Sequence, residues 1–254
     1  MLRSRLIPCL LIQDGQLTKT VKFKDGKYVG DPLNAVKIFN EKYVDELMII
    51  DISATEKGLE PNFNLIQKLA DESRMPLSYG GGVKSLSHAN KIIGMGFEKI
   101  CISSALIEDP HLVKVISKSI GSQSTVVVID VKKSLFGKYE IVTNRGKKKS
   151  KMELIECINQ MQDYGIGEII INSVDCDGVM AGYDSNLVNK IYPHVRKPMT
   201  ILGGAGSVDD FKKLNHSYGP CGIAAGSYFV FKGKFKAVLI NYPSIEERKS
   251  IFKK

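Results

Sequence analysis

The run VVVIDVKK at 126–133 ends an apolar stretch in Asp130, with Lys132 and Lys133 directly after it. An apolar strand that delivers a carboxylate into a partly desolvated cleft raises its proton affinity toward neutrality, which suits a general acid or base. The same residue is also placed to be a structural carboxylate holding a nearby lysine. Further on, NSVDCDGVMAGYD at 172–184 sets Asp175 and Asp177 two apart, with Gly178 following. These carboxylates suit a sugar hydroxyl or a phosphate-bearing sugar; alternatively, Asp177-Gly178 only shapes a turn. Two other stretches, PLSYGGGV at 76–83 and PMTILGGAGS at 198–207, feed apolar strands straight into glycines, including Gly82, Gly203 and Gly204. Glycine turns bring bare N–H groups up to a ligand and suit phosphate, although each turn also works simply as a tight strand-to-helix connection. Ser85 and Ser207 stand where helix caps belong. Ser103 and Ser104, and later Gly226 and Ser227, add hydroxyls and N–H groups at other strand ends.

A second set stands at the opposite ends of the strands. Arg5, Glu46, Lys99 and Glu168 each lie at or just before a strand start. In a closed barrel, two cations and two anions there converge on the axis, either as an ordinary ring of salt bridges closing the bottom or as something that opens.

Eight β-rich runs must position these residues: Leu6–Leu11, Glu46–Ile52, Pro76–Tyr79, Lys99–Ile102, Thr125–Asp130, Glu168–Ser173, Met199–Leu202 and Cys221–Ala225. Helical-period segments alternate with them, among them Pro32–Glu41, Asn62–Ser73, Leu86–Met95, Pro110–Ser119, Lys151–Tyr164, Ser185–Tyr192 and Val208–Leu214, with a last helix expected at Lys234–Ile240 ahead of a charged tail. Near-continuous apolar strands alternating with helices predict a parallel sheet, and eight such units predict a (β/α)₈ barrel. Segments 13–30 and 132–149 break the rhythm after strands one and five, and the second reads as a small hairpin. DELMII at 45–50 corresponds to GEIII at 167–171, and the glycine turns fit the same offset. Duplicated halves, about 1–122 and 123–245, within one domain over 1–254 account for this. The half-barrel equivalent of Asp130 falls at the end of strand one, on Leu11; Asp14 follows in the loop.

The hydrophobic share of 43% and charged share of 25% are those of a globular protein. No run approaches the length of a membrane span, and Pro8, Gln13 and Asp14 cut the N-terminal apolar run too short for a signal peptide. Five cysteines without a CxxC pair read as reduced thiols of a cytoplasmic protein, and with four histidines they form no metal pattern. The net charge of +9 gathers in KTVKFKDGK and RGKKKSK. No nucleic-acid module accompanies these segments; lysines that draw in a phosphorylated small molecule fit better, beside the plainer reading of a solvated basic face.

Taken together, IPCL at 7–10, KTVKFK at 19–24, GDP at 30–32, DELMIIDI at 45–52, GGGVKS at 80–85, VVVIDVKK, DCDGVMAGYD and GGAGS resemble the cyclase subunit of imidazole glycerol phosphate synthase, from residue 3 to about residue 240. The resemblance implies a two-fold pseudo-symmetric (β/α)₈ barrel with no cofactor. It implies a glutaminase subunit docked at the barrel bottom, whose ammonia travels along the axis to a bis-phosphorylated ribulosyl carboxamide ribotide at the top. The products there are imidazole glycerol phosphate and an aminoimidazole carboxamide ribotide. By position, Lys19, Gly82, Ser103, Ser104, Asp177, Gly178, Gly203, Gly204, Gly226 and Ser227 would hold the phosphates and sugar. Asp130 would be one of two catalytic aspartates, and Arg5, Glu46, Lys99 and Glu168 the ammonia gate. The chain departs from the family pattern at Leu11, where the second catalytic aspartate belongs, at Val179 in place of threonine and at Ser103 in place of asparagine. An intact gate beneath an altered mouth also fits a paralogue that delivers ammonia elsewhere, such as to a nucleotide sugar of surface-polysaccharide synthesis. A related phosphoribosyl isomerase barrel would need both aspartates and no gate. None of the five cysteines lies in a GxCxG-like turn, so the glutaminase is expected on a partner chain.

Overall fold

Residues 3–253 are described by a computed structural model. Eight strands run in parallel: β1 (Arg5–Gln13), β2 (Leu47–Asp51), β3 (Leu77–Gly80), β4 (Lys99–Ile102), β5 (Thr125–Lys133), β6 (Glu168–Ser173), β7 (Met199–Leu202) and β8 (Gly222–Ala225). Each pairs with the next, and β8 returns to β1 through Arg5↔Gly222 to Pro8↔Ala225, so the sheet closes. Helices fill the crossovers, and the architecture is a (β/α)₈ barrel. Because helices cover the outside and side chains fill the inside, the strands are buried on both faces, which is why they read as apolar runs.

Strand phase decides what faces the axis. On β1, Leu6, Leu10 and Ile12 belong to the apolar layer between barrel and helices. Ile7 and Cys9 belong to an inner cluster with Met48, Cys101, Val126, Val128, Ile170, Leu202 and Ala224, against which Leu11 and Ile50 pack. Successive side chains alternate faces, so Arg5 and Leu11 share the inward phase of Ile7 and Cys9. By the same parity Lys99 and Ser103 line up with Cys101, Asp130 with Val128, and Glu168 and Asn172 with Ile170. The interior is thus stacked in layers, charged at the strand N-termini, apolar in the middle and polar at the C-terminal mouth.

Both insertions are antiparallel extensions of barrel strands. Strand β1 runs on into pairing with Gln16–Val21, which pairs in turn with Lys24–Gly30. Strand β5 pairs with Tyr139–Thr143, which pairs with Lys148–Lys149, so the small hairpin expected after strand five is present. Ser85 and Ser207 cap their helices, accepting from the N–H groups of His88 and Asp210. The helix expected over Lys234–Ile240 is not formed. Phe231–Lys232 pairs with Ala237–Val238 instead, and the turn between them holds Gly233 and Lys236 at φ 73° and 48°. Seven residues with a glycine just ahead and two backbone reversals in reach supply too little helical period to win. The last helix lies in the charged tail, Ile245–Phe252, begun by a capping box between Ser244 and Glu247.

Candidate active site

At the mouth, Asp130 Oδ1 accepts from Asn172 Nδ2 at 2.8 Å and Oδ2 accepts from Ser103 Oγ at 3.2 Å. Burial pushes this carboxyl up to about 6; the bonds from Asn172 and Ser103 draw it back, and Asp177 adds to the rise. Such a group is ionised at neutral pH yet protonates within reach of it, as a proton-transfer residue must. Leu11, Gly82, Ser103, Ser104 and Asp130 all line one cavity over the first half of the barrel, floored by Cys9, Met48, Ile50, Cys101 and Val128. Opposite Asp130, on β1, the cavity presents the Leu11 side chain; the other carboxylate residues of its lining are Asp51, Glu56 and Glu108. Asp14 does not stand in for a carboxylate at Leu11. It lies at φ 51°, pairs with Lys57 Nζ at 2.5 Å on the exposed side, and is absent from the cavity lining.

The remaining expected ligand-binding residues gather elsewhere at the mouth, outside that lining. Lys19 and Asp177, 5% and 6% exposed, pair at 2.7 Å, and Lys19 Nζ also donates to the Thr20 carbonyl at 3.1 Å. A buried pair this close holds the hairpin after β1 against the loop after β6. The turn reading of Asp177-Gly178 holds, with Gly178 at φ 73°. A Cβ on Gly178 would stand 2.4 Å from the Thr20 carbonyl, and one on Gly226 would stand 2.7 Å from Lys19 Cε. At Gly178 only glycine allows that approach, whereas at Gly226 a side chain would displace the end of Lys19. Ser227 begins the short helix Ser227–Val230 beside them, and Gly203 and Gly204 turn the chain out of β7. Asp175 serves the scaffold, accepting from the Lys133 N–H at 2.7 Å.

In the first-half turn, Gly81 (φ 114°) leaves no room for a side chain, since a Cβ there would meet the Asp51 carbonyl at 2.2 Å. Gly81→Ala combines that clash with strained backbone and should cost about 1–3 kcal/mol or more; a lowered urea midpoint at unchanged slope would check it.

At the floor, Arg5 Nη1 bonds Glu46 and Arg5 Nη2 bonds Glu168 Oε1 at 2.7 Å. Lys99 Nζ closes the ring, 2.8 Å from Glu46 Oε2 and 3.0 Å from Glu168 Oε2. The four charges alternate in sign around the axis. Burial pushes the Glu168 carboxyl up, but Arg5 and Lys99, with a bond from Thr200, outweigh it and hold it below the ordinary range. Of the residues that shape the mouth, sequence reasoning passed over Asn172 and Glu56, and took Arg145 only as part of the basic run RGKKKSK. Strand parity with Ile170 points to the first; the other two meet only through the fold.

Among the described residues no group of three or more His, Cys, Asp or Glu side chains is placed to hold a metal, all five cysteines are unpaired, and no helix is long and apolar enough to cross a membrane. Residues 5–236 match the model of the family described as histidine biosynthesis protein. A Vibrio vulnificus (strain YJ016) protein, provisionally named imidazole glycerol phosphate synthase subunit hisF3, is 54% identical over 250 residues, 98% of this chain and 96% of that one. A Leptospira borgpetersenii protein with the corresponding provisional name HisF is 50% identical, over 99% of this chain and all of its own length. Imidazole glycerol phosphate synthase subunit HisF of Natranaerobius thermophilus is 34% identical over 96% of this chain and 97% of its own.

Proposed function

The chain belongs to the histidine biosynthesis protein family, among subunits like HisF of imidazole glycerol phosphate synthase, and from that premise we propose that it is the ammonia-using subunit of a glutaminase-linked synthase. A separate glutaminase docks on the barrel floor. Ammonia passes the ring of Arg5, Glu46, Lys99 and Glu168, crosses the apolar interior and meets a phosphorylated acceptor at the mouth. The observation that carries this reading is the complete alternating ring, set in register beneath an apolar core that leads to Asp130. Nothing in a merely structural barrel floor requires two buried carboxylates and two half-buried cations where packed hydrocarbon would be as stable.

At the mouth the glycine cradles and the Lys19–Asp177 side would hold phosphates and sugar hydroxyls, and Asp130 would move protons. Ammonia attacking an electrophilic carbon becomes cationic at nitrogen and must lose a proton; the ionised Asp130 carboxylate accepts it, while Asn172 and Ser103 fix the carboxylate's orientation. At constant free ammonia, turnover should therefore fall as pH drops through about 6, the value to which Asp130 is raised. A profile flat across that range would remove Asp130 from the proton-transfer role.

Leu11 favours a second reading, in which the mouth passes ammonia to another acceptor, such as a nucleotide sugar. The separating experiment supplies purified chain with free ammonium and the bis-phosphorylated ribotide at alkaline pH. Formation of imidazole glycerol phosphate assigns the cyclase reaction. A silent chain that still binds a glutaminase and conducts its ammonia assigns the second reading. Failure to bind any glutaminase subunit overturns both. A cytoplasmic location belongs to the same proposal.

A further inference from the structure

We infer that Arg145 and Lys147 form an anion site at the barrel mouth for the phosphate of a phosphorylated ligand, and that the Glu56 carboxylate occupies it until that ligand arrives. The inference rests on the proposed phosphate-holding role of the first-half glycine turn.

The basic run RGKKKSK is left without a role by ring and mouth chemistry alone. In the fold it reaches back across the mouth to the first half of the barrel. Arg145 Nη1 lies 2.7 Å from Glu56 Oε2, and Lys147 Nζ lies 2.5 Å from Glu56 Oε1. Two cations thus clasp one carboxylate, and the cluster keeps one unneutralised positive charge. Arg145 Nη2 also donates to the Phe23 carbonyl at 3.2 Å, so the tip of the other hairpin is tied into the same knot.

Location separates this cluster from a routine surface pair. Glu56, Arg145 and Phe23 line the same cavity as Gly82, Ser103 and Ser104. Thr55, next to Glu56, accepts from the Gly82 N–H at 3.5 Å, a bond long enough to leave that donor open to a stronger acceptor. Glu56 is held down to about 2, by hydrogen bonds from Lys147 and Arg145, so the site is filled by an anion throughout the neutral range. A phosphate monoester offers Arg145 and Lys147 two oxygens, as Glu56 does, with roughly twice the charge. The Glu56 side chain is 28% exposed, so a displaced carboxylate has water to move into.

The test titrates ribose 5-phosphate into the full chain near neutral pH and low salt, following the Gly82 and Ser104 amide resonances, in wild type, Arg145→Gln and Glu56→Gln. Loss of a charge-assisted bond predicts roughly tenfold or greater weakening in Arg145→Gln, and loss of the internal competitor predicts tighter binding in Glu56→Gln. Weakening in both variants would make Glu56 a brace for the cations and overturn the displacement. Equal affinity in all three chains overturns the inference and leaves the glycine-turn reading standing. No response at Gly82 or Ser104 in any chain overturns that reading as well.

Discussion

Leu11→Asp should raise ammonium-dependent turnover of the bis-phosphorylated ribotide by about 10²–10⁴-fold, the usual contribution of one positioned acid or base. The position is already shaped for the role. Leu11 shares the inward phase of Ile7 and Cys9, ends the stretch of β1 that lines the mouth, and faces the same cavity as Asp130. An aspartate there enters a lining that includes Cys9, Met48 and Ile50. Its own proton affinity should rise, and with Asp130 near by the two carboxyls should titrate as a coupled pair. Leu11→Asn is the control: it supplies polarity without proton transfer and should give no gain. Equal turnover in wild type and Leu11→Asp would mean that the missing carboxylate does not limit the reaction. Silence in both would mean that the mouth serves a different acceptor.

Glu168→Gln should destabilise the fold by about 3–5 kcal/mol, the cost of breaking a buried ion pair by removing one partner. Arg5 and Lys99 would then share Glu46 alone, and the Thr200 hydroxyl would face an amide in place of a carboxylate. Side-chain exposures of 24% for Arg5 and 16% for Lys99 place the expected loss at the lower end. The sign of the pH dependence follows from the depressed Glu168 carboxyl. Its contribution is present above the ordinary Glu range and is lost as pH falls below it, so wild type and variant should converge in acid and diverge toward neutrality. Denaturant midpoints across that range would check this, and a gap independent of pH would sink it. On the proposed ammonia route, glutamine-dependent turnover should fall more than ammonium-dependent turnover, because only the former needs a tight floor.

The barrel is legible in the sequence because parallel strands covered on both faces must be apolar throughout, and eight such runs leave few alternatives. Asp130 is legible because a carboxylate is conspicuous at the end of an apolar run; Leu11, inside such a run, is legible only through the offset between the halves and the family resemblance. Asn172 closes a run too, but an amide at a strand end advertises nothing until Asp130 is seen in register beside it. Glu56 and Arg145, 89 residues apart, meet only because the short helix Ile52–Glu56 and the turn at Arg145 converge over the mouth, and nothing local in either segment encodes the meeting. The missed C-terminal helix was different. Its capping signal, SIEE at 244–247, stands in the sequence, but the last helix was expected at Lys234–Ile240, ahead of the charged tail.

The square of alternating charges on the barrel floor has no net charge and little dipole, so its field is that of a quadrupole and dies away faster than the field of either ion pair alone. One layer above it, Cys101 still responds to Glu46, Glu168 and Lys99. Asp130, at the far end, is set by burial first, then Asn172, Ser103 and Asp177. The floor's field is thus weakest where the mouth's carboxyl is set. A change of one side chain at the mouth, such as at Leu11, can therefore leave the floor's balance of charges as it is.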